Sequence, residues 1–310
     1  MSRFPKIEIL LELAKLKIAL PVALSCFLGY ILYTPYFSIN TLFVTIGILG
    51  IVSGASTLNQ IQEAYQDGLM QRTKLRPLPS GRISKEHALI WGIICLVPGM
   101  LFLVIGGNVD SLSLALFSLI CYNLIYTPIK KRTPFAIVPG ALCGAFPPLI
   151  GWLAAGGPLF DQTILAITIF FFMGQIPHFG LLSLIHEEDY SNAGFKTLSQ
   201  QFGHVKTKHI TMIWIISTIA IATLLPLYKI INTPLSIIFL LIISIWMGHR
   251  SIIFTYNKTN SSTLLRQFIY LNYFFLLVML IIILEHLFIW GDNLPATGQI
   301  SIYNLTLYKQ

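Results

Sequence analysis

Apolar residues run through this chain in long blocks, and polar residues collect between them. Blocks of spanning length, about 17 to 25 residues, fall at 16–34, 38–58, 88–106, 111–127, 135–156, 162–184, 209–228, 234–254 and 268–290. The pattern predicts an all-α, polytopic membrane protein built as a bundle of about nine transmembrane helices. Residues 1–290 read as one transmembrane domain, and 291–310 as a short polar tail.

Charge distribution orients the bundle. With the N-terminus cytoplasmic, the inner segments carry Arg3, Lys6, Lys15 and Lys17, then Arg72, Lys74, Arg76, Arg82 and Lys85. They next carry Lys130, Lys131 and Arg132, then Lys196, Lys206 and Lys208, and finally Arg250, Lys258 and Arg266. Of the 20 basic residues only Lys229 and Lys309 fall outside. Cytoplasmic loops are enriched in Lys and Arg, and a wrong helix count would scramble the alternation. The expectation is N-in and C-out, with the tail on the outer side.

Composition agrees. The chain is 55% hydrophobic and 10% charged, whereas a soluble domain carries about a quarter charged residues. The net charge of +8 follows largely from topology, and its spread over separate inner segments gives no support to a nucleic-acid partner. Near the N-terminus Glu8 and Glu12 interleave with basic residues and aliphatics, a pattern unlike a cleavable signal or an organellar transit peptide. Cys26, Cys95, Cys121 and Cys143 lie in apolar blocks without metal-ligand spacing, as buried thiols do.

Three polar constellations carry candidate chemistry. The first is Asn59, Glu63 and Asp67, spaced every fourth residue at the end of the second block, so they share one face of a continuing helix. An amide oxygen and two carboxylates suit Mg²⁺, which completes its shell with water and phosphate oxygens. Arg72, Lys74, Arg76 and Arg82 follow and can neutralise a diphosphate. The alternative is that the helix stops near Thr57 and these groups form a solvated turn.

The second constellation closes the sixth block: His178, then His186, Glu187, Glu188, Asp189 and Tyr190. His186 and Asp189 are spaced to share a helical face, Pro177 predicts a kink toward a cavity, and Gly194 predicts a turn. The third is Tyr126 with Lys130, one helical turn apart, which can aim a hydroxyl and an ammonium at a leaving group. Interfacial anchoring explains that pair equally well when taken alone.

Together these segments resemble the UbiA superfamily of intramembrane prenyltransferases over about residues 15–290. The likeness rests on Met70-Gln-Arg-Thr-Lys74 with Arg76-Pro-Leu-Pro-Ser-Gly81, Tyr126-Thr127 with Lys131-Arg-Thr-Pro134, Gly144-Ala-Phe-Pro-Pro-Leu-Ile-Gly-Trp152, and Gln175-Ile-Pro-His-Phe179 through Asp189-Tyr190. The Pro-His-Phe and Gly-Ala-Phe-Pro-Pro runs are similar to the branch that farnesylates haem. The resemblance implies farnesyl diphosphate and protoheme IX as substrates, and Mg²⁺ held by Asn59, Glu63, Asp67 and Asp189. It also implies diphosphate contacts from Arg72, Lys74, Arg76, Lys130 and Lys196. Asp67, Glu63, Lys130, Tyr126 and Asp189 would be catalytic, and His178 and His186 would meet the acceptor. It further implies residence in a bacterial cytoplasmic (inner) membrane and a haem A synthase as partner. Against the family pattern, Glu63 stands where Asp is usual, Tyr65 replaces an additional Asp, and Gly180 replaces an aromatic. These departures bear on the metal site and the acceptor pocket. A quinone-precursor acceptor is the nearest alternative, and a non-catalytic haem-handling or transport protein the next. Transport calls for polar groups at the bilayer midplane, and the acids here sit at one end.

The topology is testable directly. Alkaline phosphatase fused after Lys229 should be active, and fused after Arg82 inactive; the reverse pattern would invert the bundle.

Overall fold

The structure, a computed structural model, describes residues 6–256 and 260–289. Arg3, Lys258, Lys309 and the tail at 291–310 lie outside the described residues. Among the described residues a short helix α1 (Ile7–Ala14) precedes nine helices long and apolar enough to cross a membrane. These are α2 (Leu16–Tyr33), α3 (Ile39–Leu69), α4 (Lys85–Gly106), α5 (Val109–Ile129), α6 (Pro134–Ala154) and α7 (Gln162–Ile185), then α10 (His204–Tyr228), α11 (Pro234–Tyr256) and α12 (Ser261–Phe288). Two short helices, α8 (Glu187–Asn192) and α9 (Leu198–Phe202), lie between α7 and α10. The chain is therefore an integral multi-pass membrane protein, with the expected number of spans among the described residues.

The polar links start helices where their side chains can cap them. Ser38 with Thr41, and Asn108 with Ser111, form reciprocal capping boxes. Ser84, Asp161 and Asn260 each accept a first-turn backbone N–H. Each cap satisfies a donor that the helix start leaves orphaned.

Helix α3 bears out the continuing helix that the polar spacing implied. It continues past the apolar block to Leu69, so the polar ladder is helical and the early-stop alternative is wrong. Helix α5 carries a π-helical turn over Cys121–Tyr126. Pro128 lies just beyond it, lacks an N–H, and crowds the carbonyl four residues back, which a widened turn accommodates. Helix α7 runs unbroken through Pro177.

Two apolar cores meet along α2 and α6. Cys26 and Tyr30 of α2 with Ile150 and Ala154 of α6 join the α3–α5 side. Leu28 with Leu149 and Trp152 joins the side built from α7, α10, α11 and α12. Lipid offers no hydrophobic drive between helices, so backbones must approach closely. Gly29 and Gly151 permit this: a Cβ at Gly29 would collide with the Pro148 carbonyl, and one at Gly151 with the Cys26 carbonyl. Exposed Leu101, Ile105, Ile238 and Ile245 show the outward, lipid-suited surface.

Gly29→Ala should therefore lower the melting temperature of the detergent-solubilised protein by several degrees. Gly248→Ala is the control. Its Cβ meets nothing within 4 Å, and helix propensity alone favours Ala by roughly 0.5–1 kcal/mol. Equal melting temperatures would remove the close-packing argument.

Candidate active site

Asn59, Glu63 and Asp67 lie on the buried face of α3, at 2%, 4% and 1% exposure. From Asn59 to Asp67 the helix rises about 12 Å, so the three line a face rather than meet at one point. Each faces a cation from a different segment. Lys130 Nζ stands 2.8 Å from both Glu63 carboxylate oxygens. Arg76 Nη1 donates to both oxygens of Asp67 at 2.9 Å. Lys15 Nζ donates to Asn59 Oδ1 at 3.4 Å, while Asn59 Nδ2 donates to Thr127 Oγ1 at 3.1 Å.

Local structure explains how these partners arrive. Arg76 sits in the turns after α3, where Thr73 Oγ1 donates to the Asp67 carbonyl at 2.8 Å. Lys130 ends α5, whose widened turn is tied to α3 through Asn123: its Nδ2 donates to the Ala55 carbonyl at 3.1 Å, and its carbonyl accepts from Gln62. Lys131 donates to Gln66 Oε1 at 3.2 Å.

Lys15, a topological charge in the sequence, belongs to the site as well. It breaks α1 from α2 in a left-handed conformation, φ 47°, which costs energy for a residue with a Cβ. The break frees the Leu13 carbonyl, and Gln60 Nε2 at 2.7 Å and Thr57 Oγ1 at 3.3 Å take it up. Burial, then the Arg76 and Lys130 charges, lower the Lys15 pKa to about 7, against the opposing pull of Asp67 and Glu63. The sequence signal was the run of polar residues on α3 at Thr57 and Gln60, which required partners.

Asp189 is not brought to this ladder. It accepts the backbone N–H groups of Gln71 at 2.8 Å and Arg72 at 3.3 Å, latching α8 to the segment after α3. Met70, Ala193 and Phe195, with Tyr190, pack beneath that latch. Gly194 has φ 75°, in keeping with the expected turn. Among the described residues no three His, Cys, Asp or Glu side chains converge on a cation site. His186 lies between α7 and α8 as the N-cap of α8, with Asp189 three positions on. Burial and then the Arg72 charge lower the His186 pKa, with Asp189 pulling the other way.

Arg72 and Lys74 are exposed on the loop. Arg82 pairs with Glu12 at 2.9 Å, away from the ladder. Tyr65 is 75% exposed, so that substitution does not touch the ladder. His178 faces α12, with the Phe268 ring at 4.7 Å and the Asn272 side chain as hydrogen-bond partner. Its neighbour Phe179 turns the other way, 5.8 Å from Tyr126. Gly180 abuts Thr211 of α10.

The donors fit a hard divalent cation on this chain's own evidence. Glu63 Oε1 is buried and receives no hydrogen bond, although the Lys130 ammonium is near. A cation at the ladder would take up this oxygen and release Lys130 and Arg76 toward an anion.

The UbiA prenyltransferase family profile matches residues 19–277. A protoheme IX farnesyltransferase of Geobacter sulfurreducens is 39% identical over 189 residues, 61% of this chain and 70% of that protein. One from Oleidesulfovibrio alaskensis is 34% identical over 220 residues, covering 71% and 78%. Among solved structures, a digeranylgeranylglyceryl phosphate synthase superposes with a TM-score of 0.72 at 18% identity, over 91% of this chain and 99% of its own. A UbiA homologue from Archaeoglobus fulgidus bound to GPP and Mg²⁺ gives 0.62 at 18%, over 88% and 99%. The fold is thus that of the solved relatives, and with the family profile spanning most of its length the chain belongs to the UbiA prenyltransferase family.

Proposed function

We propose that this chain transfers the farnesyl group of farnesyl diphosphate to a vinyl group of protoheme IX, giving haem O. The observation that carries the reading is the buried Asn59–Glu63–Asp67 face opposed by Lys15, Lys130 and Arg76 in a prenyltransferase fold. The relatives' names point to the acceptor. The reading treats residues 1–290 as one catalytic domain in a bacterial inner membrane, with the ladder at the cytoplasmic face.

Mg²⁺ bound along the Asn59–Glu63–Asp67 face, by neighbouring members rather than by all three at once, would supply Lewis-acid charge at the diphosphate. The remaining work belongs to the protein. The farnesyl tail lies among apolar helices, and the diphosphate at the ladder. Lys130, Arg76 and Lys15, relieved of their present partners, face the leaving oxygens and stabilise the charge that builds there. The C1–O bond breaks and both electrons leave with diphosphate. The vinyl carbon attacks the allylic cation, and water then adds at the adjacent carbon, losing a proton to complete the hydroxyethylfarnesyl group. The apolar bundle keeps water from the allylic cation beforehand. Asp189 acts by holding the loop that carries Arg72 and Arg76 against α8.

Purified protein with farnesyl diphosphate, protohaem and Mg²⁺ should yield haem O, and offering 4-hydroxybenzoate instead tests the quinone-precursor acceptor. Asp67→Asn should lower turnover by about 10²–10³-fold with the protein still folded. Wild-type turnover in that variant would remove the ladder from the mechanism.

Lys130 allows structure and chemistry to be separated. Lys130→Met leaves Glu63 buried without its cation, a loss of about 3–5 kcal/mol for such pairs. Adding Glu63→Gln should restore the melting temperature but not the activity. Recovery of both would reduce the pair to a structural link.

A further inference from the structure

Beside the ladder, on the far side of Lys130, lies a cavity of about 110 Å³ that the mechanism above leaves unused. Its floor is apolar, from Ile137, Phe179 and Leu182, and its polar lining includes Lys130, Thr133 and Lys196. No carboxylate lines it, and of its two ammonium groups Lys130 is already paired with Glu63, which leaves Lys196 as the cation without a carboxylate partner among the described residues. Lys130 is the shared wall: it contacts Glu63 on one side and lies over the Tyr126 and Phe195 rings at 5.0 and 5.5 Å on the other. Lys196 differs from the other site cations. It is exposed, and no hydrogen bond or ion pair engages it among the described residues. Thr133 Oγ1 accepts from Phe135 N at 3.3 Å and keeps its own proton to donate.

We propose that this cavity is the anionic subsite of the acceptor: Lys196 and the Thr133 hydroxyl bind a carboxylate of the porphyrin, one of its propionates. The inference rests on the acceptor reading given above and assigns residues to it. Size supports the division of labour. About 110 Å³ holds a carboxylate-bearing edge rather than a macrocycle, whose body would then extend from the cavity along Phe179 and Tyr126. Charge also fits. A dicarboxylate acceptor supplies the negative charge that the cavity lacks, and the charge-assisted hydrogen bonds it would form are the strong kind. The assignment takes Lys196 away from the diphosphate set, where the family resemblance had put it.

The test compares protohaem with its dimethyl ester, which keeps the macrocycle and loses both charges. Binding is followed by haem absorbance with the full chain in lipid nanodiscs, independently of turnover. Wild-type protein should bind the diacid about tenfold more tightly than the diester, in the range of a hydrogen bond to a charged group. Lys196→Gln should abolish that preference by weakening the diacid alone, and Lys196→Arg should retain it. The KM for farnesyl diphosphate is the discriminating control. A rise there in Lys196→Gln, with the diacid preference intact, returns Lys196 to the diphosphate and overturns the proposal. Equal binding of diacid and diester by the wild type also overturns it. Preferential diacid binding without any farnesylated product leaves the subsite standing and removes the proposed reaction instead.

Discussion

Three buried polar side chains on one helix set the terms for the rest of this molecule. Asn59, Glu63 and Asp67 are almost wholly enclosed, and two of them bring a carboxylate to the end of a membrane-spanning helix. Removing an ionised group from water costs several kcal/mol unless a partner compensates. Each of these groups consequently draws a partner from a different part of the chain: Lys15 from the α1–α2 break, Arg76 from the loop after α3, and Lys130 from the end of α5. One end of the bundle is organised around meeting that cost.

The same pairing makes the site responsive. An ion pair that serves only stability is readily replaced by apolar packing, so two in a row, with a third ammonium on the Asn59 amide, need another justification. Here each cation is a group that a diphosphate could claim, and each oxygen donor is one that a hard metal could claim. The protein's own pairs stand in for the contacts that substrate and metal would make, and exchange between the two sets conserves charge compensation throughout. The unaligned Glu63 Oε1 marks where the present set is least complete.

The neighbouring loops are held by a different device. Asp189 binds two successive backbone N–H groups rather than a side chain, which fixes the path of the loop whatever residues it carries. Phe195, packed with Met70 and Tyr190 under that latch, also presents its ring to Lys130. The latch, the aromatic wall and the cavity beyond it are therefore one contiguous structure at the acidic end.

Most of the fold was legible in the chain because membrane spans obey a local rule. A block must be long and apolar enough to satisfy its backbone within itself, and the caps at Ser38, Ser84, Asn108 and Asp161 are likewise local. The spacing of Asn59, Glu63 and Asp67 was equally plain, as was the basic character of Arg76 and Lys130. What the chain could not reveal was partnership. Lys15 looked like one more topological charge until the left-handed break and Gln60 set it against Asn59, a contact between residues 44 apart. Asp189 read as a metal ligand, yet tertiary packing turned it onto the backbone of Gln71. His178 and Phe179 are adjacent in sequence, but helical rotation sends one to α12 and the other to Tyr126. Hydropathy and capping depend on a residue and its near neighbours, so sequence determines them. Which cation meets which carboxylate depends on how helices far apart in the chain pack, and only the tertiary structure decides that.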